Sequence, residues 1–334
     1  MILYIGNNIR SKTNNVTYMV TLSNLLKNED YELLLTSSKK NQLLRILDML
    51  LHIIKYRKKI SCILIDTYST RNFYYALACS QLSRLFNLKY IPILHGGNLP
   101  NRLKNSSKLC DLIFKYSYKN VAPSNYLKYA FENNGYETVF IPNVLEINNY
   151  KFKKRGNVAP KLLYVRAFDK IYNPQMAVYV LSELLKKYPA AKLCMVGPDK
   201  DGSLKECIAL AKELGIDASV EFTGMLSKSE WHKKSEEFDI FINTSNFDNT
   251  PVSVMEAMAL GLVVASTNVG GMPYLINNGF DGVLVAPSNI EKMTLSIDTI
   301  IVNTASTQQL IFNARKKAES FDWSNVKDSW IEIL

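Results

Sequence analysis

The sequence predicts an α/β protein with parallel sheets, and three observations carry that reading. Short apolar runs such as Ile60–Ile65, Ala191–Val196 and Asp239–Asn243 end in Asp, Gly or Asn, as strands covered on both faces do. Segments of helical period and length separate these runs. The stretch from Asp239 to Pro273 strings a strand, a loop, a helix and a second strand into one continuous unit. At 334 residues, with 47% hydrophobic and 21% charged residues, the chain is long enough for two globular domains or one large one.

In the first half, Ile2–Ile5 reads as a strand, Gly6-Asn7-Asn8 as a turn, Val16–Leu26 as a helix and Tyr31–Leu35 as the next strand. The helix predicted over Asn41–Tyr56 has apolar positions Leu43, Leu44, Ile46, Leu47, Leu50, Leu51, Ile53 and Ile54. Lys39 and Lys40 precede it, and Lys55, Arg57, Lys58 and Lys59 cluster at its far end. Two readings fit it: a helix lying in a membrane interface, or a packed domain helix whose basic ends reach to water. Ile60–Ile65 is a buried strand ending in Asp66, Asn72–Phe86 a helix, and Lys89–Leu94 a strand that ends at His95-Gly96-Gly97. A histidine at the carboxyl end of a parallel strand sits where α/β proteins bind ligands, although a loop hydrogen bond would also place it there. His52 and His232 lie in charged helical surroundings and read as incidental. Glu146–Val158 is polar and aperiodic, and reads as the connection between domains.

In the second half, Lys161–Val165 is a strand followed by Arg166, Ala191–Val196 a strand ending in Gly197, and Lys228–Glu237 a helix. In the Asp239–Pro273 unit, the polar loop Thr244–Thr250 leads to Pro251, predicted at the first helical position, where a missing N–H costs nothing. The helix ends at Gly261, and the strand Leu262–Ser266 and Gly270-Gly271 follow. Glu256 is a lone carboxylate in this apolar helix, and burying it unpaired would cost several kcal/mol. It must meet hydroxyls, a cation or water. Asp248 faces the helix N-terminus, where the N–H groups of Val252 and Ser253 suit a phosphate. A helix cap plus a glutamate bonded to a neighbouring loop explains the same two acids.

Composition narrows the classes. No run of about 18 uncharged apolar residues appears, so no spanning helix is expected. Met1 leads directly into a strand and leaves no room for a signal peptide, which points to a cytoplasmic protein. Cys62, Cys79, Cys110, Cys194 and Cys207 are scattered through apolar segments as reduced thiols would be. Residues 1–155 hold 23 Lys and Arg against 9 Asp and Glu, while the remainder is mildly acidic. That basic half suits an anionic membrane surface, a nucleic acid or plain solvation, but no nucleic-acid-binding motif accompanies it. Asp199-Lys200-Asp201 has a lysine between its acids and reads as a solvated turn, so no metal site is expected.

The pattern Asp248-Asn-Thr-Pro-x4-Glu256-Ala-Met-Ala-x-Gly261, then Val269-Gly270-Gly271, resembles the donor-site signature of retaining GT-B enzymes of glycosyltransferase family 4 (glycosyltransferase group 1). Asp248 stands where Glu is commoner. Val139–Asn143 resembles the family's IPNG segment with Val144 in place of its glycine, and Asn278–Val285 its NGxxGLLV turn. The family's glycine pair after the first strand is replaced by Gly6-Asn7-Asn8-Ile9-Arg10. The resemblance implies a GT-B architecture: two Rossmann-like domains facing across a cleft, residues 1–150 on the acceptor side and 151–320 on the donor side, with a helix at 321–334 returning to the first. It implies that Arg166 and a lysine hold the donor pyrophosphate. The lysine's position falls on Ile171, so either Lys170 reaches in or Arg166 acts alone. Gly197, Asn249, Thr250, Pro251, Val252 and Ser253 would contact the nucleotide sugar, Glu256 the ribose, Asp248 the transferred sugar, and His95 the sugar from the first domain. The implied reaction moves a hexosyl or N-acetylhexosaminyl group from a UDP-sugar, in preference to a GDP-sugar, to a glycan or lipid-linked glycan with retention. Surface polysaccharide synthesis at the inner membrane face, with no cofactor and no metal, would be its setting. A GT-B epimerase or hydrolase and an inactive nucleotide-sugar-binding subunit are the competing readings.

Overall fold

The computed structural model describes residues 1–8 and 17–334, and it divides the chain into two compact units, Met1–Val144 with Trp323–Leu334, and Leu145–Asp322. The expectations for Ile9, Arg10 and Val16 lie outside the described residues.

The first unit is a six-stranded sheet: β1 (Ile2–Ile5), β2 (Leu33–Thr36), β3 (Cys62–Thr67), β4 (Tyr90–Leu94), β5 (Asn120–Ala122) and β6 (Thr138–Phe140). All pairings are parallel, in the order β2-β1-β3-β4-β5-β6. Side chains alternate between faces along each strand, as the two-residue period of a strand requires. Ile63 and Ile65 enter one core cluster with Met49, Phe73 and Phe114, while Cys62 and Leu64 enter another with Tyr4, Leu22 and Ile91. The helix Trp323–Ile333 belongs to this unit: Val326, Trp330 and Ile333 complete the second cluster, and Trp323 Nε1 donates to Glu29 Oε1 at 3.0 Å. It lies within the expected 321–334 stretch. Two short helices, Leu99–Asn105 and Ser107–Phe114, occupy a stretch to which no element was assigned.

The second unit is a six-stranded parallel sheet in the order β12-β11-β10-β7-β8-β9. Its strands are β7 (Lys161–Val165), β8 (Lys192–Val196), β9 (Val220–Gly224), β10 (Ile240–Asn243), β11 (Val263–Thr267) and β12 (Val283–Val285). Connections run to opposite sides of the β7/β10 pair. The carboxyl ends of these two strands therefore form the switch point at which such sheets leave a crevice for ligands. The stretch expected to connect the domains is anchored in this unit. Arg155, only 3% exposed, donates to the carbonyls of Phe238, Leu260 and Gly261 and pairs with Asp239 at 3.1 Å. All five cysteines are free and buried.

Candidate active site

Arg166 follows β7, and the loop Thr244–Thr250 follows β10, so the switch point of the second sheet brings the two together. Arg166 Nη2 donates to Asp248 Oδ1 at 2.8 Å, and the guanidinium lies 4.3 Å from the centroid of the Tyr172 ring. Asp248 also accepts from its neighbour's amide, Asn249 N, at 2.9 Å and from Ser245 Oγ at 3.3 Å. Burial pushes the Asp248 carboxyl up, and Arg166 and these donors pull it part of the way back. Glycines make the close approaches possible. A Cβ on Gly197 would run into the Arg166 carbonyl, and one on Gly270, which sits at φ +52°, into the carbonyl of Asp248.

The helix Val252–Leu260 begins beside this cluster. Pro251 is its N-cap, with ψ 123°, and not its first helical residue as predicted. No side chain caps that end, so the N–H groups of the first turn at Val252 and Ser253 are offered to a ligand. Asn249, Thr250 and Ser253 line the approach as half-buried residues, and Val252 is exposed.

Four residues further along, Glu256 is 3% exposed and meets a hydroxyl and a cation, as a carboxylate buried in an apolar helix must. Its Oε1 accepts from Tyr150 Oη at 2.9 Å and pairs with Lys228 Nζ at 2.6 Å, while Lys228 Nζ also donates to Tyr150 Oη at 2.9 Å. Burial pushes the Glu256 carboxyl up, with Lys228 and Tyr150 opposing the rise. Burial, and then the adjacent Glu256, push the Tyr150 phenol up in turn. His232, which read as incidental, closes the group: its ring centroid lies 4.9 Å from that of Tyr150. Burial, reinforced by Lys228, pushes its imidazole down to about 4, so it stays neutral.

In the first unit, the sheet order reverses between β1 and β3, where Gly6 meets Asp66. His95, just past β4, places Nε2 at 2.9 Å from Asp66 Oδ1, which also accepts from Tyr4 Oη at 2.9 Å. A carboxylate accepts, so His95 Nε2 is the donor to Asp66. Tyr68 stacks on the imidazole at 5.3 Å and Tyr18 meets it edge-on at 5.4 Å, which locks the ring plane. Burial, then the nearby Asp66, push the phenols of Tyr4 and Tyr68 up.

A sequence model described as glycosyl transferases group 1 matches residues 147–317, slightly more than half of the chain. The chain belongs to this family. An uncharacterized glycosyltransferase of Haemophilus influenzae is 28% identical over 209 residues, which cover 61% of this chain and 56% of that protein. The chain thus spans little more than half the length of that relative. Among solved structures, Anabaena Alr3699/HepE in complex with UDP superposes with a TM-score of 0.78 over 99% of this chain and 98% of its own, at 18% identity. Sucrose-phosphate synthase from Thermosynechococcus elongatus gives 0.82 over 99% and 97%, at 15% identity. At such identities the likeness establishes the fold, which is GT-B.

Within this glycosyltransferase fold, Arg166, Gly197, Asp248 and the helix N-terminus come together, and Lys170 does not join them. Its side chain is 73% exposed and its Nζ lies 3.8 Å from Glu206 Oε1. Ile171 holds the loop instead, accepting from Asn246 N at 2.8 Å, and Tyr172 takes the place beside Arg166. Beside Arg166, the second cation that faces an acid of the signature is Lys228, which no local pattern singled out, because Glu256 is 28 residues away in sequence. Ser227 and Glu230 form a capping box at the start of its helix, a local signal that fixes the helix start and hence where Lys228 emerges. Asp199 and Asp201 cap backbone N–H groups of their own turn, at Gly202 and Ser203.

Proposed function

We propose that the chain is a retaining glycosyltransferase of family 4 that moves a hexosyl or N-acetylhexosaminyl group from a UDP-sugar to a glycan or lipid-linked glycan acceptor. One observation carries this reading: a guanidinium and a buried carboxylate meet at the switch point of the second sheet, beside the N-terminus of a helix that carries a second buried carboxylate about one turn on. That set matches a nucleoside diphosphate sugar group by group. Arg166 and the N–H groups at Val252 and Ser253 hold the pyrophosphate, with Gly197, Asn249, Thr250 and Pro251 lining its approach. Glu256 accepts from the ribose hydroxyls, Asp248 from the hydroxyls of the transferred sugar, and His95, oriented by Asp66, is the reactive side chain assigned to the first unit. UDP is preferred because the HepE structures of the same fold carry UDP and UDP-glucose.

The bond from the sugar C1 to the β-phosphate oxygen breaks, and its electron pair stays on the phosphate. Arg166 and the helix N-terminus stabilise that developing charge, a contribution of about 3–4 kcal/mol per well-aimed donor. The acceptor hydroxyl adds to C1 on the face the phosphate leaves, and its proton passes to the departing phosphate oxygen. Retention follows without a protein nucleophile. No divalent ion is assigned a step, so activity in excess EDTA should equal that with magnesium. NMR of the product distinguishes the anomers: the α-linked product from an α-donor supports the reading, and a β-linked product rejects it. Donor turnover that needs no acceptor would instead make the chain an epimerase or hydrolase. A surplus of basic residues in the first half supports a membrane-proximal, lipid-linked acceptor, as in surface polysaccharide assembly.

A further inference from the structure

The helix Gln42–Tyr56 is apolar on two faces. Its inner face places Met49 and Ile53 in the core of the first unit, with Ile46 and Leu50 packed beside them. The adjoining face, turned to solvent, carries Leu43, Leu44, Leu47, Leu51 and Ile54, and they are 74%, 56%, 54%, 61% and 40% exposed. At 100° per residue these five fall within one stripe about 100° wide and on the order of 16 Å long. Isolated exposed leucines are ordinary, but five on one contiguous stripe are not. Lys39 and Lys40 lie at one end of the stripe and Lys55, Arg57, Lys58 and Lys59 at the other, all exposed. Asp48 is the one acidic residue between positions 39 and 59; it accepts from Thr36 Oγ1 at 3.0 Å and lies 3.6 Å from His52. Arg45 is turned inward onto Asn7 and the carbonyls of Lys39 and Lys40.

We propose that this outer face of Gln42–Tyr56 docks on an anionic membrane surface, with the leucine stripe at the headgroup–acyl boundary and the six terminal cations on lipid phosphates. Charge decides the occupant. A protein partner needs complementary acids around the stripe, whereas a bilayer of anionic lipids supplies apolar depth and negative charge together. Lysine stems can lie along the boundary while their ammonium groups stay at headgroup level. The inference deepens the membrane-proximal part of the proposed function. It does not depend on donor chemistry in the second unit.

The test is co-sedimentation of the full chain with vesicles of phosphatidylcholine alone and of phosphatidylcholine with phosphatidylglycerol, at low and high salt. Wild type should pellet with the anionic vesicles and be released by salt. A Leu47→Glu/Leu51→Glu variant should weaken binding by roughly tenfold or more. A Lys58→Glu/Lys59→Glu variant should weaken it by about fivefold or more per position. All substituted positions are exposed, so circular dichroism and UDP binding should match wild type. Wild type remaining in the supernatant at low salt, or the leucine variant binding like wild type, overturns the proposal. Light scattering that shows a dimer broken by the leucine substitutions, without vesicle binding, replaces the bilayer with a second copy. Loss of UDP binding by wild type would sink the donor assignment and leave the vesicle result standing.

Discussion

The two acids of the donor signature are both buried, yet they are held in opposite ways. Asp248 is fixed by a guanidinium whose side chain is 25% exposed, by a backbone amide and by Ser245, within a loop that glycines hold at close range. Glu256 is held by Tyr150 and by a lysine that is 53% exposed. A partly buried arginine left without its carboxylate has nowhere to go, whereas an exposed lysine regains water as it swings out. The Asp248 pair is therefore part of the architecture, and the Glu256 pair is a contact that a ligand hydroxyl can replace. Being a signature residue does not make an acid a structural one.

Substitutions separate the two, beginning with the largest effect. Gly270→Ala should be the most damaging, because its φ is in the left-handed region and the new methyl meets the Asp248 carbonyl. We expect a loss of about 3 kcal/mol or more in denaturant unfolding of the second unit. Asp248→Ala should cost about 2–3 kcal/mol, because it leaves the partly buried Arg166 unpaired. Glu256→Gln removes the burial cost of a charge while Lys228 returns to water, so its stability should stay within about 1 kcal/mol of wild type or rise. Equal losses for Asp248→Ala and Glu256→Gln would erase the contrast.

Protons sharpen the same comparison. His232 has its folded-state value lowered to about 4 from 6.5 by burial, with Lys228 adding to the shift. Between those values the unfolded chain takes up a proton that the folded chain refuses, so stability falls as pH drops from 6.5 toward 4. Allowing for its partial exposure, the loss should be about 2 kcal/mol. His232→Gln should flatten that limb in a pH series of thermal melts, and an unchanged slope would remove His232 from the Tyr150–Glu256 group. Lys228→Met leaves the buried Glu256 carboxylate with Tyr150 alone, so it should cost about 2 kcal/mol although the lysine itself is half in water. UDP affinity is its informative readout: if Glu256 takes the ribose hydroxyls as proposed, removing Lys228 should tighten UDP binding, and unchanged affinity would count against that role.

Much of the fold was legible because buried parallel strands are short continuous apolar runs, as Ile60–Ile65 and Asp239–Asn243 are. The helices Leu99–Asn105 and Ser107–Phe114 were hidden in the polar stretch around Asn101–Lys108, which shows little helical period. Glu146–Val158 looked like a linker because its anchors are few and spaced without a period, and the polar ones, Arg155 and Tyr150, are satisfied by Leu260 and Glu256 about a hundred positions away. The signature acids were visible by their spacing. Their partners were not, since Lys228 and Arg166 reach them only through the strand order of the sheet. Lys170 shows the converse: its distance from Arg166 along the chain was nearly right, but the turn at Lys170–Tyr172 points its side chain toward Glu206.

Titration calorimetry of UDP against wild type and Glu256→Gln at neutral pH tests the central claim most directly. If Glu256 exchanges Lys228 for the ribose hydroxyls, wild type binds UDP and the glutamine variant, folded and equally stable, binds at least tenfold more weakly, about 1.4 kcal/mol. Equal affinity in the two proteins would show that Glu256 serves only Tyr150 and Lys228, and the assignment of the donor site would fall with it.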